Sequence, residues 1–183
     1  MQKFKSLLIL IIFIFFFSSP VYSARDTNSY DGNIFPIYAG NGSIVPPQTT
    51  LEDSIKNKRV ALLFFYLDDS SDSKTMAPII SGLDLIWRDN IDIIALTTDE
   101  LQERESANPT EASFYWNGLI PQTVVIDDNG KLQFEKTGIV DIDEINQVIG
   151  EIKGIEIENS SFSVESFNEY NSRISKKESN KKD

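Results

Sequence analysis

"FFYLDDSSDSKTMAP", residues 64–78, is the stretch whose reading decides the fold. It begins inside an apolar run, Arg59 to Leu67, rich in β-formers, which fits a strand buried on both faces. Acids and serines then follow at once, the residue types that start a helix. From Met76 onward, Ile79, Ile80, Leu83, Ile86 and Trp87 recur at helical spacing with one buried stripe. Pro78 falls inside that helix and is expected to bend it. "IDIIALTT", Ile91 to Thr98, reads as a second buried strand. Strand, helix and strand at this spacing make a βαβ unit with a right-handed crossover.

Downstream, residues 99–118 are polar and broken by Asn108-Pro109, then aromatic at Phe114, Tyr115 and Trp116. They read as one helix or two short ones. Val124 to Asp127 and Leu132 to Lys136 flank Asp128-Asn129-Gly130, a tight hairpin connection. A last helix starts at Asp141, which has capping-box spacing to Glu144. Its apolar face is Ile142, Ile145, Val148, Ile149 and Ile152, and Gly154 ends it.

Upstream, residues 24–48 are rich in Asn, Gly and Pro and read as an extended lead-in with turns. Ile34, Phe35, Ile37 and Tyr38 are apolar enough to dock on a body. Thr49 or Thr50 caps a short helix, Leu51 to Lys56. The expected layout is an N-terminal segment over 1–23, the lead-in over 24–48, an α/β domain over 49–154 and a tail over 155–183. The tail turns polar and then basic, with Phe162, Val164, Phe167 and Tyr170 before its end.

The N-terminal segment has Lys3 and Lys5, then an unbroken apolar run from Leu7 to Phe17, then small residues. This is the layout of a secretory signal, shorter than the roughly 20 residues of a spanning helix. It favours cleavage after Ser23. The alternative is an uncleaved anchor that uses Ser18 to Tyr22 to lengthen the span. Either way the folded part leaves the cytoplasm.

Composition excludes more chemistry than any motif suggests. The chain of 183 residues has no cysteine and no histidine. No disulfide, thiolate nucleophile or Ser-His pair can therefore form from its own residues. Its net charge of −11 argues against nucleic acid, whose backbone needs a basic face. Asp68, Asp69 and Asp72 are hard-cation ligand types, but their spacing fits no calcium loop, so no metal or other cofactor is expected. Ser70 or Ser73 at a helix N-terminus could act as a nucleophile near backbone N–H groups. With no histidine, an N-cap role is the stronger reading.

The order of elements resembles the thioredoxin fold, a central mixed β-sheet flanked by helices, here with an N-terminal extension. In thioredoxins a buried strand enters a helix through Trp-Cys-Gly-Pro-Cys-Lys, with Ala-Pro soon after. Aligned on Ala77-Pro78, Lys74 falls on the family lysine, Ser70 on the first cysteine and Ser73 on the second. Ser71 and Asp72 take the Gly-Pro places, and Phe64 stands where the family keeps a buried Asp. Ile120-Pro121-Gln122-Thr123 resembles the cis-proline loop that faces the redox site.

A narrower resemblance rests on "DGNIFPIYAGNGSIVPP", "FYLDDSSDSK", "PTEASFYWNGLIPQTVVID" and "SFNEYNS". These blocks are similar to a cyanobacterial family described as a thylakoid-membrane photosystem I accumulation factor. Many of its members have Cys at the position of Ser73 and Ser at that of Ser70. The resemblance implies a place at the thylakoid membrane, in its lumen or in the periplasm, with photosystem I subunits or assembly factors as partners. Disulfide exchange needs a thiolate, so Ser70, Ser71, Asp72 and Ser73 are a degenerate redox site. The expectation is a non-enzymatic protein that assists photosystem I assembly by binding. Its candidate surface is Tyr66, Asp68, Asp69, Lys74, Trp116, Ile120, Pro121 and Gln122, where a partner strand could add. The alternative is an enzyme derived from a thiol-disulfide oxidoreductase, with residual activity or a borrowed thiol, or an acid-assisted hydrolase.

Overall fold

A computed structural model describes residues 23–101 and 108–155. The N-terminal apolar run and the aromatics of the tail, Phe162 to Tyr170, lie outside the described residues. Seven regular elements follow one another: α1 (Leu51–Lys56), β1 (Val60–Tyr66), α2 (Ser71–Trp87), β2 (Ile91–Thr97), β3 (Gln122–Ile126), β4 (Leu132–Thr137) and α3 (Ile142–Lys153).

The sheet order is β2-β1-β3-β4. β1 runs parallel to β2, with Val60 opposite Ile91 and Tyr66 opposite Thr97. It runs antiparallel to β3, and β3 to β4. A parallel βαβ unit continued by an antiparallel hairpin, with a final helix packed back against α2, is a thioredoxin-like fold. β1 is central and buried along its whole length, which is why its sequence is continuously apolar. Alternate residues serve opposite faces. Val60, Leu62, Phe64 and Tyr66 pack with Met76, Ile80, Leu83, Ile145 and Ile149. Ala61, Leu63 and Phe65 pack with Leu51, Ile94 and Val124 on the other face.

α2 begins at Ser70, whose hydroxyl accepts from the Ser73 amide at 3.2 Å. Pro78 lies within it, and the helix continues unbroken to Trp87. The buried Trp87 Nε1 donates to Asn146 Oδ1 at 2.9 Å and ties α2 to α3. The capping box at Asp141 is only half formed. Asp141 accepts from the Asp143 amide, while Glu144 pairs instead with Lys136 at 2.7 Å. Gly154 closes α3 in the left-handed region at φ 65°. At the hairpin, Gly130 takes φ 79°, a conformation an L side chain rarely adopts.

The lead-in is folded rather than extended. Residues Ala24–Asp26 form a 3₁₀ turn and Phe35–Ala39 a single π-type turn. Pro36 takes the second position of that turn, where an N–H has no helical acceptor, and Gly40 ends it at φ 64°. Ile34 and Phe35 are fully buried, whereas Ile37 faces solvent. Between β2 and β3, the described residues hold two short 3₁₀ turns, Thr98–Glu100 and Ala112–Tyr115, in place of α-helix.

Candidate functional site

The end of β1 and the start of α2 place Ser70 to Lys74 together, as the sequence suggests. The two serines in the cysteine positions have structural roles. Ser70 caps the helix, and Ser73 is fully buried, with Oγ accepting from the Leu67 amide at 3.4 Å. Asp69 and Asp72 are exposed. Asp68 accepts from the Ile34 amide at 3.0 Å. Burial pushes its carboxyl up, partly offset by that bond and reinforced by Asp99 and Asp69.

Lys74 is the main departure from expectation. It has no exposed surface, so it is not on a partner-binding face as the folded chain stands. Its ammonium donates to the carbonyls of Ala24 and Thr27, both at 3.0 Å, and of Ser29 at 2.6 Å. It also pairs with Asp31 Oδ2 at 2.5 Å and lies 5.5 Å from the centre of the Tyr38 ring. Burial opposes its charge, but the Asp31 carboxylate outweighs that and holds the Lys74 pKa up. Asn28 completes the closure, its Oδ1 accepting from the Ser71 amide at 2.9 Å. Residues 24–31 thus form a strap over the first turn of α2. An ammonium has no acceptor capacity and several donors, so a ring of carbonyls around it is what satisfies it once buried.

The strap is bounded in pH. The Lys74 bond, with that of Tyr38, holds the Asp31 carboxyl below its ordinary 3.8. Burial raises Asp127, but bonds from the Lys131 amide, Gln133 and the Asn129 amide bring it below 3.8 as well. Carboxyls depressed in the folded state stabilise it above their unfolded pKa, and that stability is lost as pH falls through the folded values. Lys74, raised above 10.5, contributes fully below that value and loses its contribution as pH rises through the raised one. Thermal unfolding against pH should therefore show an acid fall beginning near 3.8, part of which disappears in Asp31→Asn. An identical acid limb in that variant would contradict the assignment.

The second half of the predicted site sits just before the start of β3. The Ile120–Pro121 peptide is cis. Gln122 is buried and does not face a partner. Its amide group accepts from the Asn117 N–H at 3.1 Å and donates to the Tyr115 carbonyl at 2.7 Å and Glu135 at 3.0 Å. It therefore latches the loop before the proline to the sheet. Gln122→Ala removes the bonds to the half-buried Tyr115 carbonyl and to the N–H of the exposed Asn117, and should cost about 0.5–1.5 kcal/mol in urea unfolding. A loss within error would show that water replaces the latch.

Tyr66 and Trp116 do not form one groove. Tyr66 is fully buried and stacks on Phe64, while Trp116 packs on Phe65 at the opposite face of the sheet. Successive side chains of a strand point to opposite faces, so neighbours on β1 cannot serve one surface. The Tyr66 hydroxyl has no hydrogen-bond partner among the described residues, and burial, with the Asp68 charge, pushes its pKa up. Near the cis peptide, two apolar side chains stand exposed among polar ones such as Asn117 and Thr137. Leu119 is 60% exposed and Ile139 54% exposed, and the Gly138 amide donates to the Pro121 carbonyl at 2.8 Å. Neither backbone polar group of Ile120 is held by another described residue. Sequence reasoning missed Leu119 and Ile139; an isolated apolar residue in a loop gives no periodic signal.

No family model matches the sequence. Among solved structures, a glutamine-for-asparagine mutant of thioredoxin from Halobacterium salinarum NRC-1 is 23% identical. That similarity has a TM-score of 0.46 and covers 63% of this chain and 91% of the thioredoxin. The thylakoid membrane protein slr1796 of Synechocystis is 33% identical over 154 residues, 83% of this chain and 77% of its own length. At that identity and coverage, the chain belongs to the family of this thylakoid membrane protein.

Proposed function

We propose that the chain is a non-catalytic protein of the thylakoid membrane that supports the accumulation of photosystem I by holding an extended segment of a partner. The observation that carries this reading is the contrast between the two halves of the site. One half has alcohols in both cysteine positions and is closed by the chain's own strap. The other exposes two apolar side chains, Leu119 and Ile139, beside the cis peptide, and no described residue holds the Ile120 backbone. Strand pairing supplies affinity without a thiol. The relative's name supports the membrane location, and the resemblance of the sequence blocks supports the photosystem I link. No thiol exchange runs on this chain's own residues, because there is no sulfhydryl to form the mixed disulfide.

Leu119→Asp with Ile139→Asp tests the reading. Tagged wild-type chain, isolated from thylakoid membranes of its native host, should bring photosystem I subunits with it. The double variant should recover them about tenfold less, as expected for charges placed in an apolar contact. Equal recovery would refute the site, and absence of photosystem I subunits from both would refute the partner.

A further inference from the structure

Among the described residues, β2 is an edge strand that is left open. It pairs only with β1, and among the described residues no backbone hydrogen bond reaches its outer side. Its sequence is apolar over Ile93 to Leu96, the kind of edge that folded proteins usually blunt or cover. A groove of about 620 Å³ runs over this edge. It is lined by residues 94–97, so both faces of the strand contribute. Val45, Pro46, Pro47 and Leu51 form one wall, and Leu101 and Ala112 stand in the other.

The prolines beside the groove disfavour pairing of the neighbouring segment with β2. Pro46 and Pro47 have no N–H, so the neighbouring segment cannot zip onto β2 as a further strand. The charged residues that line the groove are both acids, Glu52 and Glu111, and both are exposed. Two copies meeting here would bring four carboxylates together between chains of net charge −11, which disfavours self-association.

We propose that this groove is a second docking site, taking a partner protein's extended segment that is apolar at alternate positions and flanked by Lys or Arg. The segment adds as a strand outside β2, its apolar side chains enter between the walls, and its basic flanks meet Glu52 and Glu111. This edge lies apart from the cis-proline loop, which leads into the interior strand β3. It is independent of the proposed function, since Leu119→Asp with Ile139→Asp leaves the groove intact.

The test uses the full-length chain in mild detergent and a fluorescent peptide of alternating valine and threonine with lysine flanks. Controls are the same peptide with glutamate flanks and one with prolines replacing alternate threonines. At low salt, the lysine peptide should bind about tenfold or more tighter than the glutamate peptide. Glu52→Lys with Glu111→Lys, both exposed, should reverse that order, and the proline peptide should not bind. Binding should also protect from exchange the outward-pointing amides, every second one within Ile94 to Thr97. Equal binding of the proline peptide, an unchanged order in the charge-reversed variant, or protection elsewhere would overturn the proposal. So would binding that appears only after residues 156–183 are deleted, since the groove would then be filled by the chain itself.

Discussion

Phe35→Ala should lower stability by about 3–5 kcal/mol in urea unfolding, with an unchanged denaturant slope. The reason lies in how the lead-in joins the core. The Phe35 ring meets Phe64 edge-on at 6.1 Å and Tyr66 edge-on at 5.5 Å. Those two rings stack on each other at 5.6 Å. Phe64 and Tyr66 stand on β1, held by β2 on one side and β3 on the other through most of its length, so they cannot move to fill the space. A void that the surroundings cannot collapse into lies at the costly end of the range. Against a typical domain stability of about 5–15 kcal/mol, the loss is large. Ile37→Ala, two residues away but facing solvent, should change stability by no more than about 0.5 kcal/mol. A loss below about 1 kcal/mol for Phe35→Ala would mean that the lead-in rests on the body without being part of its core.

Lys74→Met should release the strap. Methionine fits the apolar part of the lysine path but offers nothing to the carbonyls of Ala24, Thr27 and Ser29 or to the Asp31 carboxylate. Those groups can regain water only by leaving the body. Limited proteolysis should then cut within residues 24–31 at a rate near that of an unfolded peptide, whereas the wild type resists there. Because Ile34 and Phe35 remain buried, release should stop at the lead-in's docked turn. The melting temperature should fall by roughly 5–10 °C. Lys74→Arg does not restore the wild type, since a planar fork cannot match acceptors arranged around a compact ammonium. Cleavage no faster than in the wild type would show that the strap is held by other contacts.

Much of the fold was legible in the sequence because it rests on periodicity. β1 and β2 are continuous apolar runs, α3 carries an apolar face ending in Gly154, and the hairpin is marked by Asn129-Gly130. The lead-in was less legible. Phe35 to Ala39 closes through Pro36 and Gly40, signals that indicate a turn but not which turn. The strap was not legible at all. Residues 24–30 are mostly polar and aperiodic, and three of the strap's contacts to Lys74 are made by backbone carbonyls, which carry no sequence identity; the Asp31 carboxylate is one acid among many in the sequence.

The candidate site divides in the same way. The frame of Ser70 to Lys74 was found because it is local. The burial of Lys74, the latch made by Gln122 and the separation of Tyr66 from Trp116 were missed because each depends on a distant segment or on which face of a strand a residue takes. Sequence spacing alone favours treating charged and amide groups near a loop as a surface. Burial reverses that reading here, since a lysine with enclosing carbonyls and a glutamine with three partners are structural parts.

The closure of the degenerate site by its own lead-in is tested most directly by the exchange rate of one amide. The Ser71 N–H lies at the start of α2, where no helical carbonyl reaches it, and its partner is Asn28 Oδ1. The Ser73 N–H, held by Ser70, serves as an internal control. In the wild type at neutral pH, both amides should be protected. In Asn28→Ala, Ser71 should lose its protection while Ser73 keeps it. A Ser71 amide that exchanges at the free-peptide rate in the wild type would contradict the closed site.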